Sequence, residues 1–111
     1  MSPRTRTYLC DARDKALFLL ELFKLRTLEE VENDRILCAA IERELMIIGE
    51  AVYLLNECDA DTASQLTELR QMIALRHKLV HGYSTVSPEI MWRIIEHDLP
   101  PLVAEIDALL L

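Results

Sequence analysis

The polarity pattern of the chain is helical from the first stretch that carries one. From about Tyr8 to Arg26 the apolar residues Leu9, Ala12, Ala16, Leu19, Leu20 and Phe23 recur at three- and four-residue steps, with Asp11, Arg13, Asp14 and Lys15 between them, the spacing of an amphipathic helix. Thr27 and Glu30 stand at capping-box spacing and predict a short helical turn, and Asn33-Asp34 offers a second start signal. The next helix is predicted to run to about Asn56. Within it Leu45-Met46-Ile47-Ile48 are consecutive and at about 100° per residue cover most of the helix circumference, which predicts burial on several sides. Gly49 follows in mid-helix, at a cost of about 1 kcal/mol against Ala, and predicts a second backbone packed close by. This central helix is also a candidate subunit contact.

Glu57 to Thr62 is a short polar connection. A third helix is predicted from about Ala63 to His81, with Leu66, Leu69, Met72, Ile73, Leu79 and Val80 as its apolar stripe and Gly82 as its C-cap. Ser87-Pro88-Glu89 supplies an N-cap, a first-turn proline and an acid for a fourth helix through Met91, Trp92, Ile94 and Ile95. Pro100-Pro101 is predicted to break or kink it, leaving a last short helix from Leu102 to Leu110. No strand alternation competes. The expectation is all-α: an antiparallel four- to five-helix bundle, one domain over residues 1–111.

Composition narrows the function. The formal net charge is -7, which argues against a general nucleic-acid coat or a polybasic membrane binder, so any nucleic-acid contact must be local. Cys10, Cys38 and Cys58 lack metal-type spacing and fall in apolar patterns, as buried thiols of a reducing cytoplasm do. The apolar run Leu17 to Leu25 is interrupted by Glu21 and Lys24 and is too short to span a bilayer. A cytoplasmic protein without membrane association is expected.

Against that acidic background, residues 69–88 contain no Asp or Glu, and at their centre Leu75 to Tyr83 holds two of the three histidines. Removing nearby carboxylates is what an anionic ligand requires; the structural alternative is a helix end whose cations answer the dipole. On a helical wheel Leu69, Met72, Ile73, Leu79 and Val80 fall within roughly 60° of Arg76, which predicts Arg76 at the centre of the apolar face. A guanidinium there must snorkel, pair with an acid such as Glu44 or Glu50, or line a cleft. Arg70, His77 and His81 are predicted to share a flank of the same helix, with His81 about 140° from Arg76, so convergence of the two requires an irregular helix end or a second subunit.

Arg and His without a carboxylate cluster suit metal-free cleavage of RNA. The histidine moves a proton of the 2'-hydroxyl, and the arginine, a charged fork of donors, stabilises the phosphoryl oxygens. His77 and His81 as a one-turn metal pair lack an obvious third ligand in the segment. Tyr83 reads as a capping aromatic, an RNA contact or a modification site, Trp92 as core, and His97 as a solvated residue near a helix end.

The segment Arg76-His77-Lys78-Leu79-Val80-His81-Gly82-Tyr83 resembles the R-x4-H-x-Y motif of the HepT-like ribonuclease toxins, a branch of the HEPN superfamily of helical domains. Ile48-Gly49-Glu50-Ala51 is similar to that family's I-G-E-A segment, and Trp92 with Asp98-Leu99-Pro100 to its closing helix. The resemblance implies a HEPN-like bundle, a homodimer with a composite cleft, Arg76 and His81 as catalytic residues, and His77 as a helper where many relatives carry Asn. Arg70 and Lys78 then join as RNA-binding cations, and no cofactor is called for. It also implies a partner, an MNT-type nucleotidyltransferase antitoxin that transfers AMP to the motif tyrosine, here Tyr83. Added negative charge beside the cleft would repel RNA. A non-catalytic module that docks such a nucleotidyltransferase is the alternative.

Overall fold

The structure, a computed structural model, describes residues 1–82 and 86–111. Among the described residues there are seven helices and no strand. Five are long, at the upper count expected; the other two are single turns at chain reversals. Helix α1 (Pro3–Leu25) starts earlier than the apolar pattern does, because Ser2 accepts the Thr5 amide at 3.1 Å and Pro3 occupies the first turn. Capping chemistry, rather than periodicity, sets that end.

Helix α2 (Leu28–Glu32) has the complete capping box: the Glu30 amide donates to Thr27 Oγ1 and the Thr27 amide to Glu30 Oε1. Asp34 caps α3 (Arg35–Cys58) by accepting the Leu37 amide at 3.0 Å. Asp59 caps the short α4 (Ala60–Ala63).

Two further boundaries differ from the sequence reading. Helix α5 (Leu69–His81) begins well after Ala63. The intervening turn is held by a distant residue, since Glu105 accepts the Thr67 amide at 3.1 Å and the Thr67 hydroxyl at 2.6 Å. Leu66, read as part of the helical stripe, is buried from that turn instead. The break expected at Pro100 and Pro101 comes a little earlier, between His97 and Leu99, since neither proline can donate an amide to continue α6 (Pro88–His97). Both lie in the first turn of α7 (Leu99–Leu110), where amides have no intrahelical partner to lose. Helix α6 opens as expected, with Ser87 accepting the Ile90 amide. Gly82 closes α5 at φ 69°, the left-handed conformation that favours glycine.

Helix α3 is the hub: α1 packs along one side of it and α5 along another, with α6 and α7 closing over α1. The shared core includes Leu9 and Leu19 from α1, Ile41, Leu45 and Ile48 from α3, Met72 from α5, Ile95 from α6 and Ile106 from α7. Trp92 stacks on Phe23 with ring centroids 4.7 Å apart, as its core reading requires. No helix of the described residues is long and apolar enough to cross a membrane.

The α1 N-terminus is tied to the α3–α4 corner by Asp59, which accepts the hydroxyls of buried Thr5 (3.0 Å) and of Thr62 (2.7 Å). Bonds from the Thr62 hydroxyl and amide, and from Thr5, hold its carboxyl below the usual value of 3.8. A depressed folded pKa adds stability above the unfolded value and loses it as pH falls through the folded one. Asp59→Asn is therefore expected to lower the melting temperature at pH 7, the gap to wild type narrowing below about pH 3.8 in thermal scans followed by circular dichroism.

Candidate active site on the fifth helix

Gly49 explains how α3 and α5 meet. A Cβ built on it would stand 2.5 Å from Arg76 Cβ and 2.8 Å from the Met72 carbonyl oxygen, so the two helices touch backbone to backbone there. The close approach predicted for this glycine is thus made by the helix that carries the arginine. One residue along α3, Glu50 Oε2 accepts from Arg76 Nε at 2.5 Å. One turn further, the Tyr53 ring lies under the guanidinium, with its centroid 4.5 Å from Cζ. The Glu57 carboxylate beside the Tyr53 hydroxyl raises the tyrosine's pKa, which keeps the phenol protonated. Arg76 is therefore held at Nε and over one face, and among the described residues its terminal nitrogens bond nothing.

Of the two acids considered for pairing with Arg76, Glu50 is the partner; Glu44 faces Lys15 on α1 at 3.9 Å. The position predicted for Arg76, the centre of a buried face, is not the one it takes. Met72 and Leu75 are buried and Leu79 half-buried, which sets the buried line of α5 about 65° to one side of Arg76. Arg76 lies on the rim, its side chain 25% exposed, and Val80 beyond it is 48% exposed. The wheel set it more centrally because it counted Val80, which is exposed, and left out Leu75, which is buried. Together Arg43, Met46, Ile47, Glu50, Arg76 and Val80 line an open groove between α3 and α5 of about 400 Å³. The Leu45–Ile48 run is accordingly buried on one side only, through Leu45 and Ile48 about 60° apart, with Met46 and Ile47 turned to the groove.

Arg70, His77 and His81 do share one line of α5, and it is the crown of the helix opposite the buried line, rather than a flank of an apolar face. All three are exposed, as is Lys78. The His77 and His81 rings meet edge to face with centroids 4.2 Å apart. Arg70 and Lys78 have no ion pair among the described residues. No group of three or more His, Cys, Asp or Glu suited to a metal occurs among the described residues. His97 is exposed with Glu96 3.8 Å away, as a solvated residue. Of the three cysteines, Cys58 is exposed and Cys10 and Cys38 are half-buried, so the expectation of buried thiols fails at Cys58, which falls at the polar end of α3. Tyr83 lies outside the described residues.

Tyr53 is the residue that sequence reasoning missed. Its signal was its spacing: Gly49, Glu50, Tyr53 and Glu57 recur at one-, three- and four-residue steps on one side of α3, the side that the glycine marks as a contact.

An all-α bundle that presents an arginine on the rim and two histidines on the crown of one helix has the HEPN-like architecture. The chain belongs to the HepT-like ribonuclease family, whose family model, "Ribonuclease HepT-like", matches residues 13–109. It is similar to a protein of Caldanaerobacter subterraneus subsp. tengcongensis named "Putative RNase", 31% identical over 105 residues, covering 95% of this chain and 93% of the relative. A "Putative RNase" of Methanocaldococcus jannaschii is 29% identical over 108 residues, covering 96% and 98%. A "Probable ribonuclease HepT" of Thermococcus cleftensis is 27% identical over 104 residues, covering 94% of each chain. No solved structure matches the chain significantly.

Proposed function

We propose that this chain is a metal-independent endoribonuclease, the toxin of a type VII toxin–antitoxin pair, acting as a single-domain cytoplasmic protein without a cofactor. The observation that carries the reading is Arg76 itself. It is fixed by Glu50 and Tyr53 with its terminal nitrogens uncommitted, on a helix that carries two exposed histidines and no acid of its own.

In the proposed reaction the His81 imidazole takes the 2'-hydroxyl proton and the 2'-oxygen attacks the adjacent phosphorus. The bond to the 5'-oxygen breaks, leaving a 2',3'-cyclic phosphate, and His77 as imidazolium protonates the departing oxygen. Arg76 stabilises the charge gathering on the phosphoryl oxygens. DNA lacks the nucleophile and is not cut. Arg76 and His81 are about 140° apart around α5, so the site is completed by the second copy in a homodimer, where the open α3–α5 groove and exposed Val80 offer apolar surface for it. Arg70 and Lys78 hold flanking phosphates. The family resemblance supports an MNT-type nucleotidyltransferase partner that inactivates the toxin by joining AMP to Tyr83, placing negative charge beside the histidines.

The test is incubation of the purified chain with RNA and with DNA of the same sequence in excess chelator. Cleavage of the RNA alone is expected; intact RNA, or cleavage that chelation stops, contradicts the proposal.

A further inference from the structure

The crown of α5 extends well beyond the two histidines, and its layout says what kind of RNA it takes. Arg70, His77 and His81 fall within about 20° of one line along the helix, and at about 1.5 Å per residue they span roughly 16 Å, with roughly 10 Å between Arg70 and His77. Side chains on a helix all lean toward its N-terminus, so the lean leaves this spacing nearly unchanged, and at that separation Arg70 and the histidines meet different phosphates. Ala74, about 40° off that line, is the nearest residue between them, exposed and too small to stand in the way. Arg70, like six of the other eleven lysines and arginines, has no ion pair among the described residues, so its guanidinium is uncommitted on the crown.

The charge around this line limits its width. Residues 69–88 carry Arg70, Arg76 and Lys78 and no acid, while the rest of the chain sets nine Lys and Arg against all nineteen Asp and Glu. The acid-free track is one helix wide. On one side lies α3 with Glu50 and Glu57, and on the other α6, whose capping Asp98 lines the groove it forms with Gln71, Ala74 and Lys78 of α5. A single strand laid lengthwise keeps its phosphates on the track, whereas the second strand of a duplex meets carboxylates.

We infer that α5 is a track for single-stranded RNA, with Arg70 binding a phosphate at least one nucleotide removed from the scissile one. This rests on the ribonuclease reading given above.

The experiment compares kcat/KM for labelled single-stranded oligonucleotides of increasing length, and for a duplex, using wild type, Arg70→Gln, Ala74→Glu and, as a charge control on α1, Arg6→Gln. All three sites are exposed helix positions, and circular dichroism confirms that each variant folds. Wild type is expected to gain efficiency once the strand is long enough to reach Arg70. Arg70→Gln and Ala74→Glu are expected to cut that long-to-short ratio about tenfold, while Arg6→Gln keeps it. Arg70→Gln is further expected to flatten the slope of log affinity against log salt by about 0.7, the share of one phosphate on a single strand. Variants that keep the wild-type ratio, or a duplex cut as fast as the single strand, overturn the track. If wild type cuts no RNA of any length, the ribonuclease reading fails instead. The same oligonucleotides measured by binding then decide the track: weaker binding by Arg70→Gln supports it and equal binding overturns it.

Discussion

His81→Ala is expected to reduce RNA cleavage by about 10²- to 10⁴-fold, the usual contribution of a positioned general base, while the melting curve stays at that of wild type. The second half follows from exposure: the His81 ring stands on the crown of α5 and fills no part of the core. Arg76→Ala is expected to cost about 10² to 10³ in kcat, the scale for losing one donor to a developing oxyanion. Its structural cost is small, because Glu50 is 42% exposed and water replaces the lost partner. Glu50→Gln keeps a polar neighbour at Nε and should lie between wild type and Arg76→Ala. Cleavage assays beside thermal scans check all three, and wild-type rates in folded His81→Ala protein would remove that residue from the mechanism.

The other large effect is expected at Gly49, far from any reacting atom. An alanine Cβ there would meet Arg76 Cβ at 2.5 Å and the Met72 carbonyl oxygen at 2.8 Å. Neither atom is the end of a flexible side chain, so α3 and α5 must move apart. Overpacking of this kind costs about 1–3 kcal/mol, against a gain of about 1 kcal/mol in helix propensity from replacing Gly with Ala. The net loss lowers the melting temperature by several degrees, at about 4–8 °C per kcal/mol for a domain of this size. Activity is expected to fall further than stability: assayed well below the melting temperature, Gly49→Ala should lose about tenfold or more, since a shift of about 1 Å in a positioned group can cost 10²-fold. Gly49→Val should lose more on both counts. An alanine variant as stable and active as wild type would mean that the helices do not touch there.

Much of this was legible in the sequence because it is written in local signals. The Thr27–Glu30 box, the Asp34 cap, Ser87-Pro88 and the Gly82 terminator each act within a few residues, and each lies where the pattern puts it. Gly49 was legible too, since a mid-helix glycine implies a close neighbour. What was not legible depends on partners far away in the chain. The start of α5 is set by Glu105, 38 residues beyond Thr67. The rim position of Arg76 depends on which side of α5 meets α3, and a wheel drawn from one helix cannot know that. Tyr53 becomes part of the site only because Gly49 brings Arg76 over it. The pairing of Arg76 with an acid followed from the cost of an unpaired guanidinium, but the choice of Glu50 over Glu44 needed the packing. The roles given to Arg76 and His81 come from the motif resemblance joined to their chemistry.

That chemistry leaves a mark on the product. If the 2'-oxygen attacks the adjacent phosphorus, each cut made in excess chelator ends in a 2',3'-cyclic phosphate facing a 5'-hydroxyl, and one 2'-deoxy nucleotide at the cut site prevents cleavage there. Mass spectrometry of the fragments from matched all-RNA and singly deoxy-substituted strands reads both at once. The account predicts cyclic phosphate ends and an uncut substituted strand; 5'-phosphate ends, or cleavage of the substituted strand at the same bond, would contradict it.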